Sequence, residues 1–594
     1  MKLVVPYVGE LAAEDARLIR LAEFLGMSCV PLQLANPAHQ GIAYLERMVP
    51  KQPACFVVNP GVMQQWFDGD GFPPELVSFL VSRFPYLLIH AARPEPFHSS
   101  VIAAVSGGQL REVHRIGQSA QSYEIASEAS DVCEAFAGLR FGPANPANDR
   151  VFSTGPVASG VRQVISIAGR PCMATMRREK SEIWFLAGEE VAPLDAEVGD
   201  APLSEYFSRL LPYAMVLRHI FGEEGWRPSE PYASIIIDDP LLHEDYGFLN
   251  FQSLLGLMRR HNFHTTIAFI PHNFRRSSRP VTRMFRENAN RFALCFHGND
   301  HIGAEFASTD TTLLNTMLQI AERRMSQHQS MTGVDCDRVM VFPQGNFSVE
   351  AMSVLKSRNF DGAVNTISHP RQRAVSLTLA EIAQPAVLRY GDFPLFLRKD
   401  SLHTQSPDLA FNLFFGKPLL VVEHHDAFRH PEVLAEVASR INAVAPNVRW
   451  SNLANVVSNA ILRRRTSDGV HQVRAYSRTV RVSNDCRSEE RFLIEWKHSG
   501  QAASVEQVLH NGRPCLNVVA DGAGVRLSVT LPPGRAHTFS VVHRNPHLHL
   551  GSLGLRRETQ AFVRRRLSEV RDNYLSKSPR ALAAAKTLQR CFPL

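Results

Sequence analysis

Three consecutive β-branched residues running into two carboxylates and a proline, Ser234-Ile235-Ile236-Ile237-Asp238-Asp239-Pro240, constrain this chain more than any other stretch. A run that is apolar on both faces reads as a strand buried in a parallel sheet, and the C-terminal ends of such strands are where α/β folds place their chemistry. A second buried run, Phe292-Ala293-Leu294-Cys295-Phe296, ends in His297-Gly298-Asn299-Asp300-His301. Two histidines four apart face one point if the chain between them turns, and a carboxylate from another strand end completes a three-ligand site with open positions. The competing reading makes Asp238 and Asp239 helix caps and leaves the histidines on the surface. Both halves together, at the ends of consecutive strands, favour the metal site.

On these residues the chain resembles the polysaccharide deacetylases, the NodB-homology or carbohydrate esterase family four group, with their Thr-Phe-Asp-Asp and His-Ser/Thr-x-x-His motifs. The resemblance implies that Asp238 is the general base, and that Asp239, His297 and His301 bind a divalent metal, usually zinc. Val341-Phe342-Pro343-Gln344-Gly345 sits where the family has Arg-Pro-Pro-Tyr-Gly, so the backbone N–H of Gln344 is the expected oxyanion donor. A Leu-x-His motif is matched loosely by Leu419-Leu420-Val421-Val422-Glu423-His424-His425-Asp426; either histidine fits the general acid, and His425 is preferred because the family often reads His-Asp there. Gly298 departs from the family's hydroxyl residue. Val341 replaces the arginine that orients the base; Arg338, Arg389 or Arg398 are the substitutes to consider, with Asp392 or Asp400 as partner.

The resemblance spans roughly residues 230–460 and implies a distorted (β/α) barrel within residues 201–465, with strands near 233–237, 265–270, 292–296, 338–342, 361–364 and 418–422. The implied reaction is removal of acetyl groups from an N- or O-acetylated sugar in polysaccharide or glycoconjugate biosynthesis. The rival is a degenerate deacetylase fold that binds polysaccharide or scaffolds its synthesis machinery, favoured by the lost arginine. No nucleophile-elbow motif supports a serine or cysteine hydrolase.

At 594 residues the chain has room for three or four domains. Alternating strands and helices over residues 1–130 read as a doubly wound α/β accessory domain, without a phosphate-binding glycine motif. Short strands over 145–200 read as a small β insert, and those over 470–548 as a β-sandwich in which Trp496 is a candidate sugar-stacking platform. Nine cysteines without a CxxC pair, an N-terminus with no signal-like run and the absence of an apolar ~20-residue stretch point to a cytoplasmic protein.

From Gly551 onward ten Lys/Arg stand against three Asp/Glu, which accounts for the whole net charge of +7. This tail, 549–594, reads as a basic helical segment that is either solvated or in contact with an anionic membrane surface or synthesis complex. His243 and His272, following two of the strands, are either groove-lining or ordinary surface histidines. The expected partner is an acetylated saccharide, not a nucleic acid.

Overall fold

The computed structural model describes residues 1–34, 41–49, 54–67, 71–117, 121–155, 160–199, 203–372, 376–497, 505–521, 524–544 and 551–577. The chain divides into two units, one built from Met1–Arg227 with Thr378–Ala380 and Arg464–Gly469, the other from the remainder.

The first unit is organised by one nine-stranded sheet. Its strands are β1 (Leu3–Tyr7), β2 (Cys29–Gln33), β3 (Cys55–Val58), β4 (Tyr86–Ile89), β5 (Tyr123–Ile125), β6 (Arg140–Phe141), β7 (Val161–Ile167), β8 (Arg170–Arg178) and β9 (Ser181–Leu186), in the order β2-β1-β3-β4-β9-β8-β7-β5-β6. The residues expected to form a separate β insert therefore extend the doubly wound sheet. β9 pairs in parallel with β4, Glu182 opposite Tyr86 through Phe185 opposite Ile89. The reason lies in its composition: Ile183, Trp184, Phe185 and Leu186 are all buried, so both faces need cover and the strand belongs inside a sheet. Phe207–Phe221, expected within the barrel domain, is a helix of this first unit, apolar nearly all round and buried accordingly.

In the second unit the strands are β10 (Tyr232–Asp238), β11 (Thr265–Phe269), β12 (Phe292–His297), β13 (Cys336–Val341), β14 (Gly362–Asn365), β15 (Leu395–Leu397), β16 (Lys399–Asp400), β17 (Leu419–His424) and β18 (Arg449–Trp450). They form a parallel, nearly closed sheet in the order β15-β14-β13-β12-β11-β10-β17-β16, with β18 also on β10. Its two edges, β15 and β16, are consecutive in the chain and separated by Arg398 alone. The barrel strands fall within one or two residues of the expected positions; β15, β16 and β18, of two or three residues, are too short to show a period.

Strand parity decides what faces the barrel interior. Ile235 and Ile237 of β10, Leu294 and Phe296 of β12, and Leu419 and Val421 of β17 pack in the core shared with the surrounding helices, among them Leu254, Met258 and Met317. The alternating set, Ser234, Ile236 and Asp238, then Cys295 and His297, then Val422 and His424, turns the other way. The hydroxyls of Ser234 and Thr266, 3.1 Å apart on adjacent strands, lie on that inner face.

After the barrel, two sheets share one core of Val473, Val480, Ile494, Trp496, Leu527 and Phe539. The first two strands of the sandwich expected over 470–548, His471–Ala475 and Thr479–Ser483, belong to different sheets. Trp496 is buried there, its indole N–H donating to Ser477 O at 3.0 Å, so it is core and no sugar platform.

The tail's helix is Leu555–Asn573; the expected helical segment 581–588 lies outside the described residues. Far from being solvated all round, this helix packs on the barrel with Ala561, Arg565 and Asp572 buried. Among the described residues no helix is long and apolar enough to cross a membrane, and the eight cysteines are free.

Candidate metal centre

The C-terminal ends of β10 and β12 converge. One ligand atom from each of Asp239, His297 and His301 lies within 4.8 Å of the others, with His301 Nε2 3.8 Å from Asp239 Oδ2. The ring of His297 is oriented by its Nδ1, which donates to Val341 O at 3.1 Å on β13 and leaves Nε2 for the site. His301 Nδ1 is buried without a hydrogen-bond partner. Burial is the main cause holding both imidazoles below their ordinary pKa, His301 at about 2, so both are neutral and able to ligate. Two neutral imidazoles and a carboxylate fit a divalent ion such as zinc.

The backbone is under strain at this point. Asp239 (φ 56°), His301 (φ 58°) and Gln344 (φ 56°) all occupy the left-handed region, which costs a non-glycine residue on the order of 1 kcal/mol or more. Such strain persists only where the surroundings enforce it. For the His297–His301 loop the enforcing group is Glu305, a buried carboxylate that accepts N–H bonds from Asn299 (2.9 Å), Asp300 (3.3 Å) and His301 (3.1 Å). This explains Gly298: at φ 65° a Cβ there would lie 2.0 Å from Glu305 Oε1 and 2.5 Å from Pro343 Cγ. Glu305 was not legible in advance, though the glycine in place of a hydroxyl residue was its signal.

Asp238 lies on the inner face, buried, in a two-pronged ion pair with Arg398: Nη1 to Oδ1 at 2.7 Å and Nη2 to Oδ2 at 2.5 Å. Of the three candidate arginines it is Arg398, between the two edge strands, that reaches the base position. Arg338 pairs with Glu322 and Arg389 with Glu381; Asp392 lies beside Lys356 and Asp400 beside His403. Burial pushes the Asp238 carboxyl up, but Arg398, with His297 and His424, outweighs it and the pKa stands at about 2.

His424, the register partner of Asp238 on β17, shares its face, with Nε2 4.0 Å from Asp238 Oδ2 and the side chain 62% exposed. His425 is buried on the other side. Its Nε2 is 3.5 Å from Asp572 of the C-terminal helix, and its ring lies against Gly247, whose added Cβ would come within 2.3 Å of Nδ1. Gln344 is exposed in the turn after β13.

The C-terminal helix crosses the ends of these strands. Arg557 binds Asp300 (2.9 Å), Glu558 binds Arg324 (2.8 Å), Glu569 pairs with Arg276, and Asp572 accepts from Tyr246 Oη (2.7 Å). His272 lies 3.8 Å from Glu558 and so meets this helix; His243 is half-buried beyond β10. Neither enters the ligand set.

No family model matches the chain, and no curated protein matches it. Similar solved structures include Agd3, described as a novel carbohydrate deacetylase (9% identity, 91% of this chain and 98% of that one, TM-score 0.48). Others are a family 4 carbohydrate esterase from Streptomyces lividans in complex with acetate (12% identity, 38% and 93%, TM-score 0.24) and a family 4 acetyl xylan esterase from Clostridium thermocellum (10% identity, 37% and 89%, TM-score 0.23).

Proposed function

We propose that this chain is a metal-dependent hydrolase that removes acetyl groups from an N- or O-acetylated saccharide in polysaccharide or glycoconjugate biosynthesis. The observation that carries the reading is the convergence of Asp239, His297 and His301 within 4.8 Å beside an arginine-locked Asp238. A divalent ion held by the three ligands, zinc by preference, would supply Lewis acidity toward the acetyl carbonyl.

Asp238, ionised at neutral pH and fixed by Arg398, accepts the proton of the attacking water. The Gln344 N–H, held by its left-handed backbone in the turn after β13, serves as oxyanion donor. For the acid that protonates the leaving group we favour His424 over the expected His425. His424 opens to solvent on the face of Asp238, whereas both ring nitrogens of His425 are turned toward Asp572 and Gly247. His425 then positions the C-terminal helix. We place the reaction in a reducing compartment, which suits the eight free thiols among the described residues.

The degenerate reading drew on the arginine missing at Val341, and Arg398 answers that loss from the link between β15 and β16. The test is acetate release from a panel of acetylated oligosaccharides, with metal content measured on the same preparation. Chelator-sensitive release is expected, with His424→Ala more damaging than His425→Ala. Protein that holds stoichiometric metal yet releases no acetate from any member would favour the binding protein instead.

A further inference from the structure

The C-terminal helix is amphipathic with its faces reversed. Toward the barrel it presents Glu558, Ala561, Arg565 and Asp572, spaced 3, 4 and 7 residues apart, all buried or ion-paired. The opposite side carries Val563 (43% exposed), Leu567 (51%), Val570 (47%) and Tyr574 (71%), at spacings of 4, 3 and 4 that keep one stripe along the axis. Phe562, 55% exposed, lies beside it. A helix that spends its charged face on the protein and leaves its apolar stripe in water is the reverse of what a soluble domain requires, so the stripe calls for an occupant.

Charge selects that occupant. At 100° per residue the exposed Arg556 falls on the stripe and the exposed Arg566 along its border, whereas Arg557, Arg564 and Arg571 share a flank turned partly toward the protein, where Arg557 binds Asp300 and Arg571 binds Asp572. A second copy meeting this one stripe to stripe would bring the guanidinium groups of Arg556 and Arg566 together. An anionic lipid surface takes both components, acyl chains receiving the apolar side chains and phosphates the arginines. We propose that the outward face of the C-terminal helix docks this protein on an anionic bilayer surface. The proposal is independent of the hydrolase reading, since lipid binding is scored without turnover.

The experiment is flotation of the full-length protein with phosphatidylcholine vesicles, with and without phosphatidylglycerol. Binding to the anionic vesicles alone, weakened by salt, is expected. Leu567→Glu with Val570→Glu should abolish it, and Arg556→Gln or Arg566→Gln should weaken it about fivefold each. Because Arg556, Arg566, Leu567 and Val570 are exposed, metal content and acetate release from a soluble saccharide should stay at wild-type levels. The proposal is overturned if wild type ignores anionic vesicles at low salt, or if the double glutamate variant floats as well as wild type. A concentration-dependent dimer lost in that variant, with no lipid binding, would assign the stripe to a second copy and equally overturn it.

Discussion

At the ends of β3 and β4 in the first unit, Asn59 and His90 close on Asp15. His90 Nε2 lies 2.7 Å from Asp15 Oδ1, Asn59 Nδ2 lies 3.1 Å from Oδ2, and the His90 and Asp15 side chains are fully buried. At the ends of β10 and β12 in the second unit, Asp239, His297 and His301 draw close without satisfying one another. Both clusters join a carboxylate to an imidazole beside the ends of parallel strands, although Asp15 comes from the helix Ala13–Phe24 and Asn59 stands where the second cluster has another histidine. What differs is where the hydrogen bonds go. In the first unit the carboxylate's partners are side chains of its own cluster, which leaves a self-contained structural pair. In the second, His297 is tied from behind by Val341 O and the histidine loop by Glu305, so the ligating atoms stay turned to the common point. The candidate metal site is set apart less by its residues than by what holds them from outside.

The sharpest way to break this comparison is to delete a histidine from each cluster. His297→Ala or His301→Ala should lower affinity for a divalent ion by orders of magnitude, because three protein ligands hold an open site. His90→Ala should leave metal content unchanged and lower only the unfolding midpoint. Equal metal in all three proteins by elemental analysis would remove the centre from where it is placed here.

Next in size is Asp238→Asn, expected to retain metal and lose ~10²–10⁴-fold in acetate release, the usual cost of removing a general base. Unchanged release would exclude Asp238 from that role.

Arg398→Gln should follow, leaving a buried carboxylate without its cation at a cost of about 3–5 kcal/mol in urea unfolding. The matching change in the first unit, Asn59→Ala, removes its hydrogen bond to Asp15 and the N-cap bond it accepts from the Gly61 N–H, and should cost only ~1–3 kcal/mol. If the two variants unfold alike, the pair at Asp238 is weaker than its geometry implies.

The smallest effect concerns pH. Burial pushes the His425 imidazole down, but Asp572, helped by Asp426 and Asp239, outweighs it and the pKa is raised; Tyr246 and Arg571 also face Asp572. A histidine whose folded pKa is raised contributes stability that is complete below its unfolded value near 6.5 and is lost as pH rises through the folded value. Hydrogen exchange along Leu555–Asn573 should therefore quicken, beyond the intrinsic base-catalysed increase, as pH rises above neutrality, and His425→Gln should flatten that dependence.

The barrel and the meeting of Asp239, His297 and His301 were legible because Ile235-Ile236-Ile237 and Phe292–Phe296 carry burial in their composition, and parallel strands bring their ends together. Glu305, Asp572 and the choice of Arg398 were not, since each acts across sequence separations that no local period records. Parity separates His424 from His425 only once the register with Asp238 is fixed. The inner face of the C-terminal helix left a faint trace, oppositely charged residues at 558, 565 and 572, which the excess of arginine around it obscured. Ser181–Leu186 was misplaced for the opposite reason: its neighbours look like a hairpin, and only its own two-sided hydrophobicity points into the larger sheet.

One residue separates β15 from β16, and that residue is Arg398. The circle of strands is thus fastened at its gap by an electrostatic clasp to Asp238, where other barrels use a ladder of backbone bonds. Anyone transplanting these motifs onto a regular barrel, or re-opening this chain with new termini between residues 397 and 399, would be cutting Asp238, the proposed base, loose at the same stroke. Closure of the architecture and readiness of Asp238 are here a single heritable unit, so drift in the length of this connection should be tolerated far less than its surface position suggests.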